Sequence, residues 1–129
     1  LINYFPEYTP LEECKDFDVV LFCSVCEKKA VLFKFFGKRA IRIMSAQRCY
    51  VIECQDIDVF KRELKNRNFR LIHKFLIEKD YEGLDYYCPE CDKIYCIDHY
   101  TIFPIFDDPL FYDYSVGVCP FGHKREVDD

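Results

Sequence analysis

Residues 86–100 read YYCPECDKIYCIDHY and place Cys88, Cys91, Cys96 and His99 within twelve positions. Thiolates and an imidazole at such short intervals are the donors that zinc takes at the corners of a tetrahedron. A Cys-x-x-Cys turn supplies two of them, because its backbone curls both sulfurs towards one centre. Working outward, the chain offers two further short pairs, Cys23 with Cys26 and Cys119 with His123. The four pairs make eight donors, enough for two complete sites, and leave only His73 among the histidines.

The sequences CPEC (88–91) and CPFGH (119–123) share a Cys-Pro opening. Proline fixes φ and removes one N–H, while the amides that follow stay free to donate to sulfur. Gly122 suits the positive φ that such a turn needs. This spacing predicts one zinc ion held by Cys88, Cys91, Cys119 and His123. Cys96 and His99 follow Cys91 too closely to share that ion comfortably. Their partners are expected in Cys23 and Cys26, since the 69 residues between Cys26 and Cys96 add only a slowly growing loop-closure cost.

The ligand order resembles the cross-brace zinc fingers of the RING, PHD and FYVE type, in which pairs one and three hold one ion and pairs two and four the other. That resemblance implies Cys23, Cys26, Cys96 and His99 for a first Zn²⁺ and Cys88, Cys91, Cys119 and His123 for a second. It also implies a protein-interaction module, with a ubiquitin-ligase-like adaptor as one form. Sixty-one residues separate the first pair from the second, and the chain has no tryptophan. The long insert is where specificity is expected.

A second resemblance runs through the same residues. HNH nucleases carry a CxxC, an Asp-His followed by a proline, and a later Cys and His; here these are Cys88-x2-Cys91, Asp98-His99, Pro104, and Cys119 with His123. That alternative implies a metal-dependent nuclease in which His99 activates water while Asp98 and His123 hold the metal. Gly122 stands where the second cysteine of that pattern would fall. His99 is thus read either as a ligand or as a base.

Composition bounds the rest. A chain of 129 residues, half of them hydrophobic, is long enough for one domain with a real core. We expect an α+β fold over residues 1–129, a zinc-stapled domain with knuckles of cross-brace or treble-clef type. Segments 19–27 and 86–125 are the metal-binding elements, and 28–78 forms an inserted unit of three strands, a helix and a strand. Val19 to Phe22 reads as a short strand, and Ala30–Phe36 and Arg39–Met44 as a hairpin about Gly37-Lys38. CYVIEC (49–54) reads as a further strand. Ile57, Phe60 and Leu64 recur at helical spacing, with Asp56 or Asp58 as N-cap and Asn68 as the stop. FRLIHKFLIE (69–78) alternates like a strand, with Phe69, Leu71, His73, Phe75 and Ile77 on one face.

The formal charge of −5 is uneven. Cys88 to Asp129 carries nine carboxylates against Lys93, Lys124 and Arg125, and that end should repel phosphate backbones. The basic residues Lys28, Lys29, Lys34, Lys38, Arg39 and Arg42, with Lys61, Arg62, Lys65, Arg67 and Arg70, read as solvated strand and helix faces. A protein partner is therefore expected ahead of nucleic acid. FPIFDDPLFYDY (103–114) reads as a loop folded over the metal site, or as an acidic-aromatic recognition surface.

His73 is expected to be packed and hydrogen-bonded, and Cys14, Cys49 and Cys54 to be small buried hydrophobes. A redox role for Cys23-Ser-Val-Cys26 is disfavoured by the strand-like sequence that follows it. The opening LINYFPEYTPLEECKDF has neither a basic patch nor a continuous apolar core, and no run reaches the ~18–20 residues that span a bilayer. With nine cysteines in CxxC spacing, a reducing compartment, cytoplasmic or nuclear, is expected. Closed four-donor sites lean towards a chain without chemistry of its own.

Overall fold

A computed structural model describes residues 10–80 and 82–128, so the opening segment before Pro10 lies outside the described residues. The fold is α+β, with three antiparallel sheets and two helices among the described residues. After a single 3-10 turn at Leu11–Glu13 come β1 (Val19–Phe22), β2 (Lys29–Phe36), β3 (Ala40–Ser45) and β4 (Cys49–Glu53), a sheet in chain order. Register pairs Phe33 with Ile43 and Lys34 with Arg42 across β2 and β3, closing the expected hairpin at Gly37.

The side-chain period of two sorts this sheet into faces. Leu21, Val31, Phe33, Ile41, Ile43 and Ile52 point to one side and enter the main core. Val20, Leu32 and Met44 point to the other, where Leu11, Cys14 and Phe17 cover them. Lys34 and Arg42 also lie on that second side and reach Asp16, at 2.8 and 3.8 Å. The second face is therefore partly wet.

Two helices cover the first face. In α1 (Ile57–Lys65) the periodic residues Ile57, Phe60 and Leu64 are all buried. Asp56 is the N-cap residue, though its side chain makes no capping bond. Phe60 meets Phe33 edge-on at 5.9 Å and stacks on Phe75 of the next helix at 4.3 Å. The aromatics of the middle block are thus core and sheet packing.

The expected strand over 69–78 is instead the helix α2 (Phe69–Asp80). Alternation was the wrong period, because it left Ile72 and Leu76 without a face. Those two are fully buried, whereas Leu71 and Ile77 are 43% and 41% exposed. Phe69, Ile72 and Leu76 follow the 3-4 spacing of one helical stripe.

Asn68 is likewise not the stop of α1, whose C-cap is Asn66. Arg67 takes φ 54°, its N–H reaches the Leu64 carbonyl, and the Asn68 N–H reaches that of Glu63, a Schellman closure with arginine in the usual glycine place. The Asn68 carbonyl then accepts from Ile72 N–H and so opens α2.

The remaining strands are short β5 (Tyr87–Cys88) and β6 (Lys93–Ile94), then β7 (Thr101–Asp108), β8 (Phe111–Val118) and β9 (Lys124–Asp128) in a second meander. FPIFDDPLFYDY is therefore the β7–β8 hairpin and not a loop folded over the metal site. Tyr86, Tyr87, Tyr95 and Tyr100 are buried and join the cysteine-rich end to the helices, with His73 4.9 Å from Tyr87. One core cluster includes Phe33, Leu76, Tyr95 and the thiols of Cys23, Cys88, Cys96 and Cys119.

Candidate metal centres

Three of the four donor pairs are hairpin turns. Cys23 and Cys26 sit in the β1–β2 turn, Cys88 and Cys91 in the β5–β6 turn, and Cys119 and His123 in the β8–β9 turn. Cys96 and His99 form a further turn between β6 and β7, closed by His99 N–H on the Cys96 carbonyl at 3.0 Å. In the third hairpin Gly122 adopts φ 87° and donates to the Cys119 carbonyl, while Cys119 N–H returns to the His123 carbonyl.

The eight donors fall into two groups. One comprises Cys23, Cys26, Cys96 and His99, the other Cys88, Cys91, Cys119 and His123; within each group the ligand atoms lie within 4.8 Å of one another. In the first, Cys26 and Cys96 sulfurs are 3.5 Å apart, and His99 Nδ1 is 3.3 Å from Cys96 Sγ and 3.8 Å from Cys23 Sγ. In the second, Cys91 and Cys119 sulfurs are 3.9 Å apart, and His123 Nδ1 lies 3.3, 3.4 and 3.5 Å from Cys91, Cys119 and Cys88.

Zinc bonds of about 2.3 Å to sulfur and 2.0–2.1 Å to nitrogen set tetrahedral edges of about 3.8 Å between sulfurs and about 3.6 Å from sulfur to nitrogen. The distances given above, 3.3–3.9 Å, lie within a few tenths of an ångström of those edges, and each group could hold a metal ion.

The backbone prepares the sulfurs. Val25, Cys91 and Phe121 each point an N–H at the sulfur of Cys23, Cys88 and Cys119, all at 3.4 Å. Burial pushes the Cys119 thiol up, but the N–H groups of His123 and Phe121 outweigh it and bring its pKa down to about 7. Cys23 is lowered in the same way, against its own burial, chiefly by backbone donors at Cys26 and Val25. Burial wins at Cys88 and Cys96, whose thiols rise to about 11 and about 12 in the metal-free chain.

Residues beyond the donors complete the second centre. Glu90, inside the CPEC turn, brings a carboxylate oxygen to 3.3 Å from His123 Nε2, the nitrogen facing away from the sulfurs. A carboxylate there fixes the ring's tautomer and orientation. The Tyr95 hydroxyl is buried without a partner in hydrogen-bonding geometry. Its pKa is raised first by burial and then by the sulfurs around it, Cys91 foremost, followed by Cys119 and Cys88.

Two arginines fasten this end. Arg125 donates to the carbonyls of Tyr87, Glu82 and Leu84, at 2.9, 3.3 and 2.6 Å. Arg48 holds Asp85 through two bonds at 2.9 and 3.0 Å, pairs with Glu82 at 2.6 Å and stacks on Tyr50. None of Glu90, Tyr95, Arg48 or Arg125 stands out in the sequence; the one signal that marks Glu90 is its position inside the CPEC turn.

The other expected site residues are placed apart. Asp98 is 63% exposed and pairs with Lys28 at 3.6 Å, and His99 and His123 belong to different groups, so Asp98, His99 and His123 do not converge. His73 is packed and hydrogen-bonded as expected, accepting Leu84 N–H at 3.0 Å, but from a helix. Of Cys14, Cys49 and Cys54 only Cys54 is buried; Cys14 is half-buried and Cys49 exposed, because β4 lies at the sheet edge and turns Cys49 outward.

A family model described as Domain of unknown function (DUF8328) matches residues 12–129. The chain belongs to the DUF8328 family. The match takes in all eight donors of both groups, so the two centres of this DUF8328 chain lie wholly within the family's span. Comparisons with curated proteins and with solved structures find no match for it. Among the described residues of the DUF8328 chain, no helix is long and apolar enough to cross a membrane.

Proposed function

We propose that this chain is a zinc-stapled protein-interaction module, holding two Zn²⁺ ions in the interleaved manner of cross-brace fingers. The observation that carries this is the pair of Cys₃His groups, each bringing four donor atoms within 4.8 Å of one another. A catalytic zinc keeps one position for water or substrate, whereas four protein donors complete a structural site. Cys23, Cys26, Cys96 and His99 would hold one ion, and Cys88, Cys91, Cys119 and His123 the other. Each ion supplies on the order of 10 kcal/mol of apparent binding free energy to folding.

Metal analysis of the pure protein tests the reading. Two zinc ions per chain are expected, and His99→Ala should lose one of them together with stability. One ion or none in the wild type overturns the paired assignment. The nuclease alternative requires cutting of DNA or RNA that His99→Ala abolishes while fold and zinc content survive, and the exposed Asp98 paired with Lys28 gives it no support. A ubiquitin-ligase-like adaptor is a narrower form of the interaction reading, and it requires the loaded chain to bind a conjugating enzyme.

A further inference from the structure

The β7–β8 hairpin carries Leu110, the most exposed large apolar side chain among the described residues. Leu110 is 88% and Phe111 65% exposed, with Phe103 also at the surface. Burial declines along β8 from Ser115 and Gly117, towards its base, to Phe111 at its tip. Asp108 Oδ1 accepts Leu110 N–H at 2.8 Å and fixes the turn. Asp107, Asp108 and Asp113 are exposed, and residues 101–114 contain no lysine or arginine. An apolar tip ringed by carboxylates is costly to leave in water and marks a docking element.

A groove elsewhere on the molecule complements it in both respects. It is an open cleft of about 670 Å³ between α1 and the far end of the β1–β2 hairpin. Val19 and Phe35 give it apolar wall, and Lys61, Arg62 and Lys65 of α1 rim it with cations, against Asp18 and Asp58. Asp18 is already engaged by Phe35 N–H at 2.8 Å, and Arg62 by Glu63 at 3.4 Å. Lys61 lies over the Phe35 ring at 4.7 Å, so it meets an incoming carboxylate by swinging off that ring and uncovering Phe35, while Lys65 stands exposed one turn further along α1.

We infer that the β7–β8 tip of one chain docks into the α1 groove of a second copy, with Leu110 and Phe111 against Val19 and Phe35 and with Asp107 and Asp108 facing Lys61 and Lys65. This rests on the interaction reading above and names the partner it would use. Tip and groove share no residue, so a single contact leaves one tip and one groove unfilled, and the assembly either closes by reciprocal two-fold exchange or propagates head to tail. The facing charges set its register and speed encounter.

Sedimentation velocity of metal-loaded wild type, from micromolar to millimolar, reads the association directly. The sedimentation coefficient should rise with concentration. Leu110→Asp with Phe111→Asp disables the tip, and Lys61→Glu with Lys65→Glu disables the groove; Leu110, Phe111 and Lys65 are exposed and Lys61 is half-buried over Phe35, and circular dichroism and zinc content check each fold. If the tip pair fails to fold, Leu110→Ser with Phe111→Ser repeats that arm. Each variant alone should stay at 15.6 kDa, and their mixture should form a species of twice 15.6 kDa and no larger, because one tip and one groove remain. A wild type that stays monomeric with both zinc ions bound overturns the self-docking and leaves the zinc module intact. Association that survives both sets of substitutions also overturns it. Association through the tip in a chain that holds no zinc would uphold the docking and remove the zinc reading.

Discussion

Glu27 and Asp92 stand at the same place in the same turn. Each follows the second cysteine of its pair, each adopts a left-handed backbone, φ 63° and 53°, and each returns its N–H to the carbonyl of the first cysteine, at 2.9 and 2.8 Å. The two knuckles are thus one backbone solution used twice, once in a longer hairpin and once in a two-residue one.

That equivalence separates two substitutions. A left-handed residue other than glycine costs roughly 1–2 kcal/mol, which glycine relieves at some cost in unfolded-state entropy. Glu27 is exposed, so Glu27→Gly should leave thermal stability unchanged or raise it by up to about 1 kcal/mol. Asp92 also accepts the Tyr87 hydroxyl at 2.7 Å, and Asp92→Gly forfeits that bond. It should destabilise by about 1 kcal/mol. Equal effects in thermal denaturation would show that the bond from the Tyr87 hydroxyl to Asp92 adds nothing to stability.

Glu90 supports His123 without belonging to either donor group. Losing such a partner typically weakens metal binding by roughly 10–100-fold. Glu90→Gln should therefore keep two zinc ions per chain under saturating metal, while a chelator competition shows weakened affinity at one site only. His123→Ala should remove that ion outright. Unchanged affinity in Glu90→Gln would mean that solvent orients the ring equally well, since the carboxylate is largely exposed.

Metal uptake should release protons. Burial first, and neighbouring thiols after it, hold Cys88 at about 11 and Cys96 at about 12 in the metal-free chain, so both are protonated at neutral pH. The ligand form is the thiolate. Raising pH removes the competing proton, so apparent affinity rises with pH, and acid drives the metal out. Calorimetric titration in two buffers of different ionisation enthalpy should give different observed heats, and a pH-independent affinity would contradict the thiol donor set.

Much of the candidate site was legible in the sequence because ligand spacing is a local property. Cys-x-x-Cys and CPFGH specify their own turns, and Gly122 bears its positive φ where a side chain would be strained. Strands β1 to β4 and helix α1 were legible for a similar reason, as each shows one period plainly. The failures share a cause. Residues 69–78 carry apolar residues at both strand and helix spacing, and only packing of Ile72, Phe75 and Leu76 against α1 and the sheet selects the helix. The stop at Arg67 was hidden because an arginine holds a conformation usually left to glycine. Nothing in Glu90, Arg48 or Arg125 announces their partners, which lie tens of residues away in sequence.

Tyr95 lies next to Cys96 of one centre while its hydroxyl faces the sulfurs of the other. Between thiols the hydroxyl gains little; against a metal-bound thiolate it becomes a donor to a charged acceptor, worth roughly 1.5–3 kcal/mol. Tyr95→Phe removes the donor and keeps the ring. In the metal-free chain the change should be neutral or mildly stabilising, because a buried hydroxyl without a partner is itself a cost. In the loaded chain it should expose Cys91 to faster alkylation and speed zinc transfer to a chelator, on the order of tenfold at the second site. The first site should be unaffected and the stoichiometry should stay at two. Equal zinc release from both sites in wild type and variant would show that the Tyr95 hydroxyl makes no bond to the bound sulfur.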